Sequence, residues 1–242
     1  MRLFGSLGGG LLDLLLPPRC HICKTVLNSP GPLHICATCY AALPVIRSPL
    51  CSICGIPFDG GGDDHPCGSC LASPPPYRAA RAALRYEGAC RELLHAFKYQ
   101  QRSHLRRPLG LLTAELLTPF ATACQPDLLI PVPLHKRRLQ KRGFNQAVLL
   151  AELLSRQWHV PLLRQGLART RLTTPQVELD RAQRRTNLRG AFAVPCPAAV
   201  SGKRIMLVDD VFTTGSTLAE SARTLLAAGC TTVTAVTVAH AP

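Results

Sequence analysis

The stretch Arg204-Ile205-Met206-Leu207-Val208-Asp209-Asp210-Val211-Phe212-Thr213-Thr214-Gly215-Ser216-Thr217 decides the fold. Ile205 to Val208 is a short continuous apolar run, the mark of a strand buried on both faces of a parallel sheet. Two adjacent carboxylates, Asp209 and Asp210, come next, and then small hydroxylic residues around a single glycine. Further on, Leu218, Ala222, Leu225 and Leu226 recur at helical spacing, and Gly229 stands where a C-terminal cap belongs. Thr217 and Glu220 have the spacing of a capping box. The pattern predicts strand, loop and helix, with Thr213, Thr214, Gly215, Ser216 and Thr217 at the helix N-terminus. Free N–H groups and the helix dipole bind phosphate at such a place, hydroxyls add donors, and glycine permits close approach. A carboxylate pair repels phosphate and suits sugar hydroxyls, or a cation held with them. Acid pair and loop together read as a site for a ribose phosphate; the plainer reading is a capped strand–turn–helix.

The rest of the second half alternates in the same way. Strands are expected at 82–86, 127–132 and 232–239, and helices at 90–99, 109–117 and from Phe144-Asn145 to about Trp158. Alternation of this kind implies a parallel sheet with helices on its faces and ligands beyond the strand C-terminal ends. Two loops lie at that edge besides the hydroxylic one. After Leu129-Ile130-Pro131-Val132-Pro133 comes a segment carrying Lys136, Arg137, Arg138, Lys141 and Arg142 without an acid. Read from its residues alone, it is a nucleic-acid contact or a solvated patch. From Arg169 to Arg189 the chain has six arginines against Glu178 and Asp180 and little apolar periodicity, which reads as a closing lid or as a basic strip contacting nucleic acid.

The chain has 242 residues and a formal net charge of +14. Arg2, Arg19, Lys24 and Arg47 balance Asp13, Asp59, Asp63 and Asp64 before Pro74-Pro75-Pro76, so the whole excess lies beyond the triple proline, a stiff-linker candidate. Such a surface favours polyanions. No uncharged apolar run approaches the roughly 18 residues of a membrane span, so membrane insertion is not expected. Leu3 to Leu16 has a single basic residue ahead of it, is interrupted by Asp13 and lacks a cleavage signal. It reads as a short helix rather than a secretory leader, and the expected location is cytoplasmic, where thiols stay reduced.

Eight cysteines form four C-x-x-C pairs: Cys20/Cys23, Cys36/Cys39, Cys51/Cys54 and Cys67/Cys70, with a repeat of about 31 residues. A C-x-x-C turn brings two thiolates to one tetrahedral ion, and two turns complete a structural Zn2+ site. One or two zinc ions are expected, with sequential pairing the simple arrangement and a cross-brace the alternative; disulfides, a redox role or an iron–sulfur cluster also suit the residues. His21, His34 and His65 read as surface residues, and Cys90, Cys124, Cys196 and Cys230 as small buried hydrophobes. The division is a double zinc ribbon over 1–76 and an α/β domain over 77–242.

The Asp209 segment closely resembles the phosphoribosyl pyrophosphate (PRPP) motif of type I phosphoribosyltransferases. That resemblance implies that Asp209 and Asp210 hold ribose hydroxyls, that Thr213 to Thr217 hold the 5′-phosphate, and that the basic segment holds pyrophosphate, with Arg138 and Arg142 the preferred pair. Joined with the cysteine knuckles, Pro131-Val132-Pro133-Leu134, Arg142-Gly143-Phe144-Asn145-Gln146, Thr174-Pro175-Gln176, Asn187 with Ala191-Phe192, and the Asp209 segment, the chain is identified as a member of the ComF (GntX-like) family, associated with competence and DNA uptake. The implied architecture is a zinc-ribbon module followed by a type I phosphoribosyltransferase-like parallel sheet with helices on both faces. The implied chemistry is Mg2+-dependent displacement of pyrophosphate from PRPP by an acceptor the sequence does not name. The alternative is a non-catalytic single-stranded-DNA-binding or adaptor protein that keeps PRPP as a regulator, with DNA-uptake or recombination proteins as partners.

Overall fold

A computed structural model describes residues 17–100, 102–171 and 188–241, which fall in two compact units, Met1–Leu43 and Pro44–Pro242. The expected Leu3–Leu16 helix lies outside the described residues.

The first unit holds one knuckle pair and helix α1 (Ala37–Ala41), whose N-cap is Cys36. The second unit opens on the other knuckle pair and helix α2 (Gly68–Ala72), whose N-cap is Cys67. The sequence repeat is repeated in the backbone. Bridges join Arg19 to Val26 and Leu50 to Pro57. The N–H of Cys36 points at Cys20 Sγ as that of Cys67 points at Cys51 Sγ. His34 and His65 accept the N–H groups of His21 and Ser52 through their carbonyls.

The main sheet has four strands: β1 (Ala79–Arg85), β2 (Leu128–Pro131), β5 (Arg204–Phe212) and β6 (Thr232–His240), in the order β1-β6-β5-β2 and all parallel. β3 (Ala168–Arg169) and β4 (Phe192–Ala193) form a separate antiparallel pair. Between β1 and β2 run α3 (Gly88–Tyr99) and α4 (Arg106–Cys124), and after β2 come α5 (Lys136–Arg142) and α6 (Gln146–Trp158). Helix α7 (Ser216–Ala227) joins β5 to β6. Helices cover both faces: α4 and α6 pack on each other and on one face, and α7 packs on β6 and β4. The core on the α7 side joins Leu218, Ala222 and Leu225 to Ile205, Leu207, Val233 and Ala235. These are the apolar helix positions and alternate strand positions that the two periodicities demand.

Three expectations change. β5 does not stop at Val208 but runs to Phe212, because Asp209, Val211 and Phe212 still find ladder partners in Thr237, Ala239 and His240. The basic segment after β2 is not a loop: it is helix α5, with the His135 side chain accepting the Arg137 N–H at its start. Helix α4 extends to Cys124 through Pro119.

The second ribbon is seamed to the sheet. The Ala80 N–H of β1 donates to Ile53 O at 2.7 Å, and Arg81 Nη1 donates to Ser52 O at 3.1 Å. Gly55, at φ 74°, lies so close that an added Cβ would meet Ala80 O at 2.6 Å. Of the four single cysteines, Cys90 and Cys230 are buried as expected, whereas Cys124 is only partly buried and Cys196 is exposed.

Candidate functional site

The eight knuckle thiols converge in two sets, Cys20/Cys23/Cys36/Cys39 and Cys51/Cys54/Cys67/Cys70, with all sulfurs of a set within 4.8 Å of one another. Pairing is sequential, first knuckle with second and third with fourth. A zinc–sulfur bond of about 2.3 Å puts the edge of a tetrahedron at roughly 3.8 Å. Cys23 and Cys36 Sγ are 3.7 Å apart and Cys54 and Cys67 Sγ 3.8 Å, so both sets fit one tetrahedral ion. His21, His34 and His65 belong to neither set.

The second centre of chemistry lies at the C-terminal edge of the sheet. Asp209 and Asp210 lie in the second half of β5, and as neighbours in an extended strand they project to alternate faces. Asp210 meets a cation. Lys98, in the last turn of α3, places Nζ 2.9 Å from Asp210 Oδ1, and the two side chains are only 15% and 13% exposed. Burial pulls the Lys98 ammonium down, but the Asp210 carboxylate outweighs it and holds the pKa above the ordinary lysine value. Asp209 accepts the Asp210 N–H at 2.8 Å. Burial, with the Asp210 charge alongside, pushes the Asp209 carboxyl up to about 7 despite the opposing fields of Lys98 and Arg169. Arg169, at the end of β3, is itself pulled down to about 10 by burial and by Arg138, with Asp209 resisting.

Arg142 closes the same side. Its Nη1 donates to Gln146 Oε1 at 2.9 Å, and its guanidinium lies 5.2 Å from the ring centre of exposed Tyr99, the residue after Lys98. Asn145 fixes the turn between α5 and α6: its side chain accepts the Ala147 N–H and donates to Val132 O.

The hydroxylic loop sits at the N-terminus of α7 as expected, but its cap is Gly215 rather than Thr217. Gly215 is left-handed at φ 71°, and an added Cβ would strike the Phe212 ring at 2.7 Å. Thr214 and Ser216 share a 2.9 Å hydrogen bond between hydroxyls, and the Ser216 N–H also points at Thr214 Oγ1. Thr217 is not the cap, because the helix starts two residues earlier than a Thr217–Glu220 capping box requires. Buried Glu220 instead accepts the Gly190 N–H at 2.7 Å and pairs with Arg223. That contact, with the Thr170 N–H to Ala191 O bond, anchors both ends of the basic segment expected to act as a lid. Residues 172–187 of that segment, with Thr174-Pro175-Gln176, Arg181, Arg184, Arg185 and Asn187, lie outside the described residues.

Sequence reasoning missed Lys98 and gave Arg169 no role of its own. Lys98 carries one weak signal: it is one of only five lysines in a chain whose cations are mostly arginine. No spacing rule ties it to Asp210, because the contact crosses from α3 to β5. Among the described residues no helix is long and apolar enough to cross a membrane.

Comparison with known proteins agrees with this layout. The profile of the Double zinc ribbon domain matches residues 11–71, and that of the Phosphoribosyl transferase domain matches residues 145–242. DNA utilization protein YhgH of Shigella flexneri is 39% identical over 223 residues, 91% of this chain and 96% of that protein. Competence protein ComFC of Bacillus subtilis is 33% identical over 155 residues, 63% of this chain and 60% of that protein. A glutamine PRPP amidotransferase structure from B. subtilis overlaps 55% of this chain and 26% of that one, at 22% identity and a TM-score of 0.38. With a near full-length relative at this identity and both profiles in order along one polypeptide, the chain belongs to the ComF (GntX-like) family, a double zinc ribbon joined to a phosphoribosyl transferase domain.

Proposed function

We propose that the chain binds PRPP with Mg2+ at the β5–α7 junction and transfers its phosphoribosyl group to an acceptor. The observation that carries this reading is the direct succession of two adjacent carboxylates, Asp209 and the Lys98-paired Asp210, and a glycine-capped helix N-terminus at the C-terminal edge of a parallel sheet. The carboxylates accept the ribose hydroxyls, and the free N–H groups of the first turn of α7, with the Thr213–Thr217 loop, take the 5′-phosphate. Arg138 and Arg142 face the departing pyrophosphate, whose charge grows as the glycosidic bond breaks. Each four-cysteine set holds a structural zinc ion.

The test is calorimetry of PRPP with Mg2+, paired with an assay for pyrophosphate release across candidate acceptors. Binding one PRPP per chain is expected, with Asp210→Asn or Gly215→Ala weakening it at least about tenfold. Absence of measurable PRPP affinity would remove the whole reading.

A second reading is favoured by the net charge of +14, carried beyond residue 76, and by relatives named for DNA utilization and competence. In it the chain contacts single-stranded DNA through its backbone and PRPP acts as a regulator. Affinity for an oligonucleotide should then fall steeply with salt, and a flat response eliminates it.

A further inference from the structure

The sheet edge that carries Asp209 and Asp210 already contains a cation. Lys98 Nζ lies 2.9 Å from Asp210 Oδ1, and both side chains are largely out of water. Lysine gives up hydration and rotamer freedom to sit there, and apolar residues of similar volume often serve stability as well as a buried ion pair does. The ammonium acts on both acids. Burial and the Asp210 charge raise the Asp209 pKa, and the field of Lys98 opposes that rise. Burial favours the neutral amine at Lys98, and Asp210, with Asp209 behind it, overrides burial and keeps the charge.

A divalent ion does not fit the same place. Mg2+ demands oxygen ligands in a near-octahedral array and sheds its water reluctantly. Asp210 Oδ1 is engaged by Lys98, Asp209 Oδ1 accepts the Asp210 N–H, and the two side chains leave β5 on opposite faces, so the pair does not present itself as one chelate. Among the described residues, the groups of three or more metal-ligating side chains are the two cysteine sets, and neither acid belongs to one. One ammonium leaves two carboxylates with a single surplus negative charge, which a divalent ion would overshoot in a half-buried site.

We infer that Lys98 is the resident counter-cation of the ribose site: its ammonium holds, at Asp210, the place a divalent ion would otherwise take, and the acid pair accepts ribose hydroxyls without recruiting Mg2+. The inference rests on the ribose-phosphate reading of this edge and changes what that reading requires. The Mg2+ that accompanies PRPP belongs to its pyrophosphate, whereas the cation at the carboxylates is tethered to α3 and in place before the ligand arrives.

The experiment uses the full, zinc-loaded chain and ribose 5-phosphate, which offers the hydroxyls and the 5′-phosphate without a pyrophosphate to carry metal. Calorimetry without divalent ion and again with excess Mg2+ should give wild-type affinities within about twofold of each other. Lys98→Met leaves Asp210 uncompensated, and there Mg2+ should tighten binding at least about tenfold. Lys98→Arg restores a cation and should return binding to indifference toward Mg2+. Mn2+ titrated alone and followed by electron paramagnetic resonance should find no wild-type site that Asp210→Asn removes. Should Lys98→Met fail to fold, the wild-type and Lys98→Arg measurements decide the matter. A tenfold Mg2+ effect in wild type, a Mn2+ site lost in Asp210→Asn, or a folded Lys98→Met that ignores Mg2+ would each overturn the inference. Ribose 5-phosphate binding that needs Mg2+ sinks this inference alone, whereas no binding under any condition sinks the ribose-phosphate reading and the inference with it.

Discussion

Lys98 and Asp210 form a pair whose value is asymmetric. Both are largely out of water, so removing one partner strands the other charge, and breaking such a pair costs about 3–5 kcal/mol. Lys98→Met should therefore lower the urea midpoint sharply, and Lys98→Met with Asp210→Asn should recover most of the loss, since no lone charge remains. Asp209 sets a different dependence. Its folded pKa is raised from 3.8 to about 7, so the folded state holds a proton that the unfolded chain releases earlier. Its contribution to stability is present below about pH 4, falls as the pH rises toward 7, and is gone above that. Asp209→Asn should accordingly raise the melting temperature relative to wild type at pH 8, and the gain should vanish near pH 4. At this scale the sequence showed the adjacent carboxylates but not the cation that pairs with one of them. Asp209 and Asp210 are visible in one line of text, whereas Lys98 reaches Asp210 only after α3 has docked.

At the scale of elements, the seam between the second ribbon and β1 rests on one residue without a side chain. Gly55 is left-handed and faces the Ala80 carbonyl, so Gly55→Ala is strained twice over. Its unfolding free energy should drop by about 1–3 kcal/mol in denaturant titrations, with Gly61→Ala, where nothing lies within 4 Å, as a near-neutral control. The regular elements were legible because apolar residues keep their periods in β2, β5, β6, α6 and α7. The misreadings have physical reasons. Proline signals a helix end, which stopped the reading of α4 at Leu117. The helix nonetheless continues, with Ala121 buried and the Thr118 hydroxyl bonded to both Ala114 O and Trp158 Nε1. Helix α5 has almost no apolar face to announce it, and its start is fixed by the imidazole of His135. The Thr217–Glu220 spacing was a real pattern put to another use, because Glu220 is held by Gly190 from β4's side of the fold.

On the scale of the whole molecule, the cysteine spacing supplied the eight thiols and sequential pairing as the simple arrangement, and the fold chooses it over a cross-brace. What the spacing withheld was that the second set shares a compact unit with the sheet while the first lies in the other. Metal analysis of protein purified without chelator should find two zinc ions per chain. Stripping both should lower the melting temperature, since binding energy at such a site is folding energy.

Two centres with the same ligands and the same N–H contacts to their first thiols should nevertheless run on different clocks. Cys20, Cys23, Cys36 and Cys39 lie in a unit apart from the sheet and should be uncovered by local opening of that unit alone. Cys51, Cys54, Cys67 and Cys70 are stitched through Ile53 to the edge of the main sheet, and releasing them means peeling that edge. Zinc escape into excess chelator, followed with a chromogenic dye, should thus be biphasic, one equivalent leaving early and the other at the pace of global unfolding. A single phase would mean that the stitch at Ala80 confers no kinetic protection.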